Sequence, residues 1–374
     1  MSNSDKQTVQ KLFSSADIKI NGNRPWDINI HNDRFFRKFL AGGSLALGES
    51  YMDGWWDCQV LDQFFYRAMK AGLWGKVSGD MSILLSMIKA RVLNPQTISR
   101  ARKVGEQHYD IGNELYRRML DKRMVYSCGY WKNANTLDEA QEAKLDLTCR
   151  KLGIKKGERV LDIGCGWGGF AQFAAERYRA SVLGVTISKD QAQLARERCA
   201  GFDVQIELQD YREVQGKFDK IVSIGMFEHV GSRNYITYME TVHRLLLDNG
   251  LTMIHTIGRD TSARHGEGDP WVRKYIFPNS QLPSLRQITE AAEGLFVVED
   301  IHNFGADYDK TSLAWQRNFE GAWPELKNEY SERFHRMWNY YLFGGAAACR
   351  ARKIQLWQIV MSKEGVEGGY KSIR

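Results

Sequence analysis

From about residue 150 onwards, apolar runs of strand length alternate with stretches that have helical spacing. The predicted strands are, in order, RVLDIGC, SVLGVTIS, DVQIELQD, FDKIVSIG and LTMIHTIG. Helices are predicted between the first three of them, at GGFAQFAAERY and KDQAQLARERC, and Ser188 is suited to cap the second helix. An alternation of strands and helices is typical of a parallel sheet with helices on both faces. The pattern therefore predicts a doubly wound α/β domain.

The first hundred residues have a different pattern. Short strands are predicted at DIKIN and WDINIHN, and RFFRKFLAGGSLALGESYMDGWWD predicts a short helix, a glycine turn and another helical stretch. Two further stretches, CQVLDQFFYRAMKAGLWGK and DMSILLSMIKARVL, place apolar and aromatic residues at helical spacing with Lys and Arg between them. Such helices are typical of proteins that bind a membrane surface, although a helical domain with a solvated basic face has the same pattern.

This change of pattern predicts two domains. We place a mainly helical N-terminal domain, which binds lipid at a membrane surface, at 1–91, a linker at 92–107 and a second domain at 108–374.

Charge and cysteine content narrow the possible classes of protein and of binding partner. The 374 residues carry a formal net charge of +7, which favours an anionic partner, and nucleic acid and an anionic lipid surface both satisfy this. No run reaches about 18 consecutive apolar residues, so no membrane-spanning helix is predicted. The N-terminal MSNSDKQTVQKLF lacks the apolar core of a signal peptide. The six cysteines form no C-x-x-C pair, so we expect neither a metal site nor a disulfide framework, but a reduced cytoplasmic protein.

The stretch DIGCGWGG contains a G-x-G-x-x-G between a predicted strand and a predicted helix. Glycines at this point let the backbone approach a ligand at the N-terminus of the helix. A dinucleotide site also needs an acidic residue at the end of the second strand. Here that strand ends with Thr186 and Ser188, whereas the first strand ends with Asp162 in a D-x-G-x-G pattern. This pattern resembles the cofactor motif of the S-adenosylmethionine-dependent methyltransferases and favours them over dehydrogenases.

The second strand continues as T-x-S-x-x-Q, which replaces the acidic residue found in most of these methyltransferases. In this the chain resembles the cyclopropane-fatty-acid synthase and mycolic-acid cyclopropane synthase family. Further motifs that carry the resemblance occur in order over 105–360: GEQHYDIGNELYRRML, VYSCGYW, VLDIGCGWGG, GVTISKDQ, LQDYRE, GMFEHVG, HTIG, KYIFPN, NFGADYDKT, LAWQRNF and YYLFGGAAACRARKIQLWQ. The N-terminal GESYMDGWWD resembles the bacterial fatty-acid branch of the family, so the resemblance covers essentially the whole chain.

The resemblance implies a class I methyltransferase fold for the catalytic domain at 108–374 and a specific reaction. The reaction is the transfer of a methylene group from S-adenosylmethionine to the cis double bond of an unsaturated phospholipid acyl chain. Methyl transfer leaves a carbocation, and loss of a proton to a bound bicarbonate closes the cyclopropane ring. The resemblance further implies unsaturated phospholipids at the membrane surface as partners, a homodimer, no nucleic acid, and a cytoplasmic protein peripherally associated with the inner face of the cytoplasmic membrane.

Five residues match the family positions that surround the bicarbonate. The resemblance implies that Cys128 contacts the anion without acting as a nucleophile, and that His255 donates a hydrogen bond to it. Glu228 either takes the hydroxyl proton of the anion or fixes the imidazole. The Ile257 backbone amide and the Tyr308 hydroxyl complete the implied set.

The residues implied to bind the cofactor are Tyr126, Ser127, Asp162, Gly164, Gly166, Thr186, Gln191, Tyr211 and Arg212. Aromatic faces attract cations, so Tyr126, Tyr130 and Trp131 in VYSCGYW are candidates to line a site that holds a sulfonium and a carbocation. Many relatives have a cysteine soon after YYL, where this chain has Gly345, so no covalent role is predicted for Cys349.

Three alternatives remain open from the sequence. The same carbocation can lose another proton or be reduced, which gives methyl- or methylene-branched chains. An RNA-modifying methyltransferase fits the positive charge, but the chain has no N-P-P-Y-type tetrapeptide and its Lys and Arg residues are spread over both predicted domains. A lipid-surface protein with an inactive catalytic domain is disfavoured by the intact glycine loop.

Overall fold

The computed structural model describes residues 3–73, 112–262, 268–278 and 280–374. The helices of these residues are α1 (Asn3–Ser14), α2 (Arg34–Met52), α3 (Leu61–Lys70), α4 (Asn113–Met119), α5 (Leu137–Leu152), α6 (Gly169–Tyr178), α7 (Lys189–Arg198), α8 (Tyr235–Leu245), α9 (Pro270–Tyr275), α10 (Leu285–Ala292), α11 (Asp307–Leu326) and α12 (Glu332–Arg350). The strands are β1 (Asn29–Ile30), β2 (Trp56–Asp57), β3 (Arg159–Ile163), β4 (Ser181–Thr186), β5 (Val204–Leu208), β6 (Phe218–Ile224), β7 (Leu246–Gly258), β8 (Val297–Asn303) and β9 (Gln355–Ser362).

The chain forms two compact units that alternate along the sequence. The helical unit comprises Met1–Leu93, Gly266–Pro278 and Tyr308–Ile354, and the sheet unit comprises Asn94–His265, Asn279–Asp307 and Gln355–Arg374. The predicted domains at 1–91 and 108–374 are each continuous, whereas two segments of the helical unit come from the later part of the chain. The predicted linker at 92–107 and the helical stretch at 80–93 lie outside the described residues.

The described strands of the sheet unit form one sheet in the order β5-β4-β3-β6-β7-β9-β8. The first five run parallel, as the alternation of strands and helices predicts. The doubly wound α/β architecture is therefore confirmed. The expectation of a purely parallel sheet needs one correction, because β9 runs antiparallel between β7 and β8. Strand β8 precedes the two long helices α11 and α12 of the other unit, and β9 follows them. The local alternation of strands and helices therefore does not predict these two strands.

The helical unit is built around a cluster of aromatic residues. In α2, Gly43 has φ 51° and ψ −131°, so the predicted glycine turn divides this helix into two stretches. Phe35 and Phe39 stack with ring centroids 5.7 Å apart, and Phe13 of α1 lies 5.3 Å from Phe39. The predicted strands DIKIN and WDINIHN are reduced to the two residues of β1 and a single bridge between Ile20 and Ile28.

Helix α3 buries its apolar face inside the helical unit. Leu61, Phe64, Phe65 and Ala68 are buried, while Lys70 at the end of the helix is exposed. In this helix the apolar residues form part of the core. Of its two basic residues, Lys70 is exposed and Arg67 is half-buried and pairs with Asp17 at 2.6 Å. Among the described helices none is both long enough and apolar enough to cross a membrane.

Candidate active site

A cavity of about 190 Å³ lies at the carboxyl ends of β3, β4 and β6 in the sheet unit. In open parallel sheets this edge is the usual place for a ligand. All of the residues predicted to bind the cofactor line the cavity: Tyr126, Ser127, Asp162, Gly164, Gly166, Thr186, Gln191, Tyr211 and Arg212. The structure therefore brings this whole predicted set together.

The glycine loop after β3 forms one wall of the cavity. Gly164 has φ +80°, and a Cβ added to it would lie 2.7 Å from Met226 Cγ, so only glycine fits there. Gly166 has φ +54°, and an added Cβ would meet nothing within 4 Å. The backbone at Gly166 is thus open to a ligand, at the entry to helix α6.

Asp162 is buried at the end of β3, and neither of its carboxylate oxygens has a hydrogen-bond partner among the described residues. Burial raises the pKa of Asp162 to about 7, although the nearby Lys144 ammonium lowers it. A buried carboxylate normally has a partner, because an unpaired charge is costly to desolvate. The unpartnered oxygens of Asp162 therefore fit a cationic ligand in the cavity.

The T-x-S-x-x-Q motif folds into one local unit beside the cavity. The Thr186 hydroxyl donates to the Gln191 side-chain oxygen over 2.9 Å. Ser188 caps helix α7 as predicted, because its Oγ accepts the Gln191 backbone N–H over 3.4 Å. These bonds fix the end of β4 where a dinucleotide enzyme has a carboxylate.

The residues that follow β5 form the opposite wall. The Arg212 guanidinium donates to both Asp210 oxygens, at 2.8 and 2.7 Å. The Tyr211 ring lies 5.5 Å from that of Tyr238, and burial raises the pKa of Tyr211 to about 12. Tyr211 therefore stays protonated and offers the cavity a neutral aromatic face.

Only part of the VYSCGYW stretch lines the cavity. Tyr126 does, and its ring packs edge-on against Tyr116 at 5.2 Å. Tyr130 and Trp131 are absent from the lining, and Tyr130 instead contacts Phe304 with ring centroids 5.3 Å apart. Of the three aromatic residues proposed to surround the cations, Tyr126 is therefore the one that lines the cofactor cavity.

Four of the five residues predicted to surround the anion belong to the sheet unit: Cys128, Glu228, His255 and Ile257. None of these four lines the cofactor cavity itself. The fifth, Tyr308, lies near the start of α11 and belongs to the helical unit, where it is buried with its ring 5.8 Å from that of Trp315. Cys349 is also buried in the helical unit, and burial raises the pKa of its thiol above the ordinary value.

Glu228 lies in the short 3₁₀ helix Phe227–His229 that follows β6. Its Oε1 accepts the Ile257 backbone N–H over 2.6 Å, whereas its Oε2 has no hydrogen-bond partner in the described part of the chain. Burial raises the pKa of Glu228 to about 7, against the lowering effect of that hydrogen bond. The Ile257 amide is thus occupied by Glu228, so in this structure it positions the carboxylate rather than offering a free donor to an anion.

His255 lies fully buried on β7, directly beside the cavity-lining Ile224 in the strand register. Its Nδ1 is 3.4 Å from the Gln358 amide nitrogen, and its Nε2 has no partner among the residues described. With Gln358 as the donor, the imidazole proton is on Nε2. Burial, together with Lys144 and Lys151, holds the pKa of His255 well below its usual range. His255 is therefore a neutral ring with one unused N–H donor.

Cys128 is also fully buried, and its thiol donates to the Gly129 carbonyl over 3.3 Å. The described cysteines form no disulfide. A buried thiol bonded to a backbone carbonyl agrees with the role of a contact residue and not with that of an activated nucleophile.

Sequence reasoning missed a stripe of buried polar residues on α5. Gln141, Lys144, Thr148 and Lys151 are buried and recur at helical spacing. Gln141 donates to the Ser127 carbonyl over 2.7 Å, and Thr148 accepts from Gln358, the residue that contacts His255. The signal was present in DEAQEAKLDLTCRKL, but a polar stripe has the same pattern whether it faces solvent or a buried site.

The chain is similar to several known proteins. The family model described as "Mycolic acid cyclopropane synthetase" matches residues 96–359. The chain is 54% identical over 366 residues to cyclopropane-fatty-acyl-phospholipid synthase of Escherichia coli (strain K12), which covers 98% of this chain and 95% of that protein. It is 39% identical over 276 residues to a probable fatty acid methyltransferase of Pseudomonas putida, covering 70% and 69% of the two chains.

A crystal structure of mycolic acid cyclopropane synthase CmaA1 complexed with SAH and CTAB is also similar. It superposes with a TM-score of 0.65 and 31% identity, and the match covers 70% of this chain and 98% of that one. The predicted α/β methyltransferase fold is thereby confirmed.

Proposed function

Because the chain belongs to the mycolic acid cyclopropane synthetase family, we propose that it converts unsaturated phospholipid acyl chains into cyclopropane chains with S-adenosylmethionine as the methylene donor. It is an enzyme of the methyltransferase class. The observation that carries the proposal is the buried Asp162 with two unpartnered oxygens beside the open backbone of Gly166. These features fit a bulky cationic cofactor at the carboxyl edge of the sheet.

In the proposed complex, the cavity residues would hold the cofactor at the carboxyl ends of the parallel strands. When bound, S-adenosylmethionine supplies an electrophilic methyl group. An isolated double bond is a weak nucleophile, so the two reacting carbons must be aligned and water must be kept away. Tyr126 and Trp167 line the cavity with aromatic faces, which tolerate positive charge and offer no hydrogen bond to water on those faces.

We further propose that Glu228 and His255 hold the base that removes the proton. Each of them has one buried atom without a partner, Oε2 and Nε2 respectively. One hydrogen-bond acceptor and one hydrogen-bond donor without partners together suit bicarbonate, which has one hydroxyl and two acceptor oxygens. When bound, bicarbonate supplies the group that accepts the proton lost on ring closure. Cys128 and Tyr308 remain proposed contacts of the same anion, and the Ile257 amide acts through Glu228.

A second candidate function is the formation of methyl- or methylene-branched acyl chains. The similarity to a probable fatty acid methyltransferase favours this alternative, since it is 39% identical over 70% of this chain. The same fold and cofactor serve both reactions, and only the fate of the carbocation differs.

The experiment that tests the proposal is incubation of the purified protein with S-adenosylmethionine and vesicles of a cis-unsaturated phospholipid. Mass spectra and proton NMR of the acyl chains then report the product. Gain of one CH₂, loss of olefinic protons and high-field ring signals support ring closure. A methyl branch or an exocyclic alkene moves the function to the second candidate. Vesicles of a saturated phospholipid serve as the control, and no mass change in either vesicle overturns both candidates.

We also propose that the protein is a homodimer at the inner face of the cytoplasmic membrane and binds it through the helical unit. The net charge of +7 supports attraction to an anionic lipid surface. Of the two lysines proposed to attract the lipid surface, Lys70 is exposed at the end of α3, and Lys76 lies outside the described residues. Sedimentation of the protein alone and with vesicles tests both statements, and a monomer that does not sediment with anionic vesicles contradicts them.

A further inference from the structure

Lys144 is a fully buried lysine that the proposed reaction does not yet use. Its ammonium donates to the Ser127 hydroxyl over 2.9 Å, and among the described residues it forms no ion pair within 4.0 Å. Other buried lysines of the sheet unit have carboxylate partners, Lys151 with Asp300 at 3.5 Å and Lys220 with Glu158 at 3.9 Å. An ammonium without a carboxylate partner is unusual in a protein interior, because burying an unpaired charge is costly.

The groups whose charges act on Lys144 come from several elements. They are Asp121, Cys128 and Asp162, while Lys144 in turn acts on His255. Asp121 already accepts the backbone N–H groups of Arg123 and Val125, at 2.9 and 2.8 Å. Cys128 is also buried, and burial raises the pKa of the Cys165 and Cys199 thiols, so these two stay neutral. Asp162 is therefore the carboxyl group in this set whose oxygens have no partner of their own.

We propose that Lys144 is a positioning residue that favours the ionised form of Asp162 before the cofactor arrives, so that a larger fraction of the protein binds a cationic cofactor without first losing a proton. The inference rests on the proposed S-adenosylmethionine site. The hydrogen bond to Ser127 anchors the ammonium on the cavity wall, because Ser127 itself lines the cavity. Gln141, one turn earlier on α5, holds the backbone of the same segment by donating to the Ser127 carbonyl.

The sign of the effect follows from the charges. A protonated Asp162 has no charge for a cation, so the observed dissociation constant is the intrinsic one divided by the ionised fraction. Asp162 has a pKa of about 7 with Lys144 present. Removal of the ammonium raises this pKa, and every unit of increase weakens cofactor binding about tenfold at pH values below it. Raising the pH restores the ionised form and with it the affinity.

The test measures the dissociation constant of S-adenosylmethionine by calorimetry between pH 5.5 and pH 9. Lys144→Met removes both the charge and the hydrogen-bond donor, and Lys144→Gln removes the charge but keeps a donor for Ser127. We expect both variants to bind roughly tenfold more weakly at pH 6.5 for each unit by which the Asp162 pKa rises, and to approach wild-type affinity at high pH. Lys144→Arg keeps the charge and is expected to bind like the wild type at pH 6.5. Burial lowers the pKa of Lys144 to about 8, so the two profiles are compared below that pH.

Two controls accompany these variants. Lys220→Met removes another buried lysine of the same unit that does not line the cavity, and it is expected to leave the pH profile unchanged. Asp162→Asn removes the titrating carboxyl group. The pH profile of its dissociation constant therefore shows how much of the pH dependence comes from the amino group of S-adenosylmethionine. Circular dichroism establishes that each variant is folded. If Lys144→Met fails to fold, the comparison of Lys144→Gln with Lys144→Arg decides the question.

Two results overturn the inference alone, provided that the wild type binds S-adenosylmethionine. One is an unchanged profile in Lys144→Gln, which means that the charge has no effect on binding. The other is a loss of affinity that is equal at all pH values, which assigns Lys144 a purely structural role. A wild type that binds no S-adenosylmethionine at any pH overturns the proposed cofactor site, and the inference with it.

Discussion

The two oxygens of Glu228 have different surroundings, and this difference predicts how the residue acts. One oxygen is fixed by the Ile257 amide, and the other is buried without a partner among the described residues. A glutamine at this position can still accept the amide N–H, but it cannot take up or release a proton. Glu228→Gln is therefore expected to preserve the fold and the cofactor cavity.

We expect Glu228→Gln to lower turnover by about 10²- to 10⁴-fold, the usual contribution of proton transfer, while the dissociation constant of S-adenosylmethionine changes little. The pKa of about 7 also predicts that wild-type turnover rises with pH through neutrality as Glu228 ionises, and that the variant lacks this inflection. Glu299→Gln is a matched control, because Glu299 accepts the Val366 N–H over 2.8 Å in the same unit. An equal loss of affinity and turnover in Glu228→Gln would show that the residue mainly builds the pocket.

The buried Asp162 predicts a conflict between stability and ligand binding. Burial raises its pKa from 3.8 to about 7, so the folded protein holds this proton more tightly than the unfolded chain does. The resulting loss in the free energy of unfolding is absent below about pH 4, grows as the pH rises to about 7 and is constant above that. Asp162→Asn removes the charge and hence the cost.

We therefore expect Asp162→Asn to raise the free energy of unfolding of the cofactor-free protein at pH 8, by about 1.4 kcal/mol per unit of pKa shift removed, and to weaken S-adenosylmethionine binding. Chemical denaturation at pH 4 and pH 8 measures the first effect, and calorimetry measures the second. At pH 4 the two proteins should be nearly equally stable. A variant that is less stable than wild type at pH 8 would contradict this account.

Gln358 determines which imidazole nitrogen of His255 carries the proton. Its amide donates toward Nδ1, which leaves the proton on Nε2. Gln358→Glu presents acceptors in place of the donor and is expected to move the proton to Nδ1. We expect this variant to have lower turnover, because the N–H donor at Nε2 is lost. Nitrogen NMR of labelled imidazole reports the tautomer directly, and an unchanged tautomer in the variant would disprove the assignment.

At the scale of elements, the loop between β3 and α6 contains Gly166, whose φ is +54° and whose added Cβ would meet no atom within 4 Å. Gly157, which precedes β3, has φ +81° and equally open surroundings, so Gly157→Ala is a matched control for Gly166→Ala. Each substitution is expected to destabilise the protein by about 1–2 kcal/mol through backbone strain. Only Gly166 lines the cavity.

Gly166→Ala is therefore expected to weaken S-adenosylmethionine binding, while Gly157→Ala leaves the dissociation constant unchanged at similar thermal stability. Paired melting curves and calorimetric titrations separate the two effects. Equal affinities in both variants would mean that the backbone at Gly166 does not approach the cofactor.

Sequence patterns predicted the parallel core of the sheet well, because it depends on local signals, and the family resemblance named residues that line the cavity. Strand-length apolar runs, the glycine loop and the cap at Ser188 are each encoded within a few residues. The antiparallel strands β8 and β9 and the polar stripe on α5 were not predicted. Their roles depend on partners far away in sequence, such as the contact of Gln358 with His255 across 103 positions.

At the scale of the whole molecule, the expected attraction to lipid depends on where the positive charges lie. Lys70→Glu combined with Lys76→Glu should weaken binding to anionic vesicles at low salt, and added salt should reduce the difference because it screens surface charges. Lys310→Glu with Lys327→Glu makes the same change of net charge at exposed positions elsewhere in the helical unit. Vesicle sedimentation compares the pairs, and equal weakening would show that total charge, not the region around α3, governs binding.

The alternation of the two units along the chain has a consequence for the order in which the protein can fold during synthesis. Helix α3 packs against α12, and Arg350 donates to Asp62 over 2.7 Å across 288 positions. Arg336 likewise donates to Asp57 across 279 positions. The N-terminal helices therefore leave the ribosome long before their partners exist. Their aromatic surface therefore stays exposed until nearly the entire polypeptide has been synthesised. During that interval we expect chaperones to bind it.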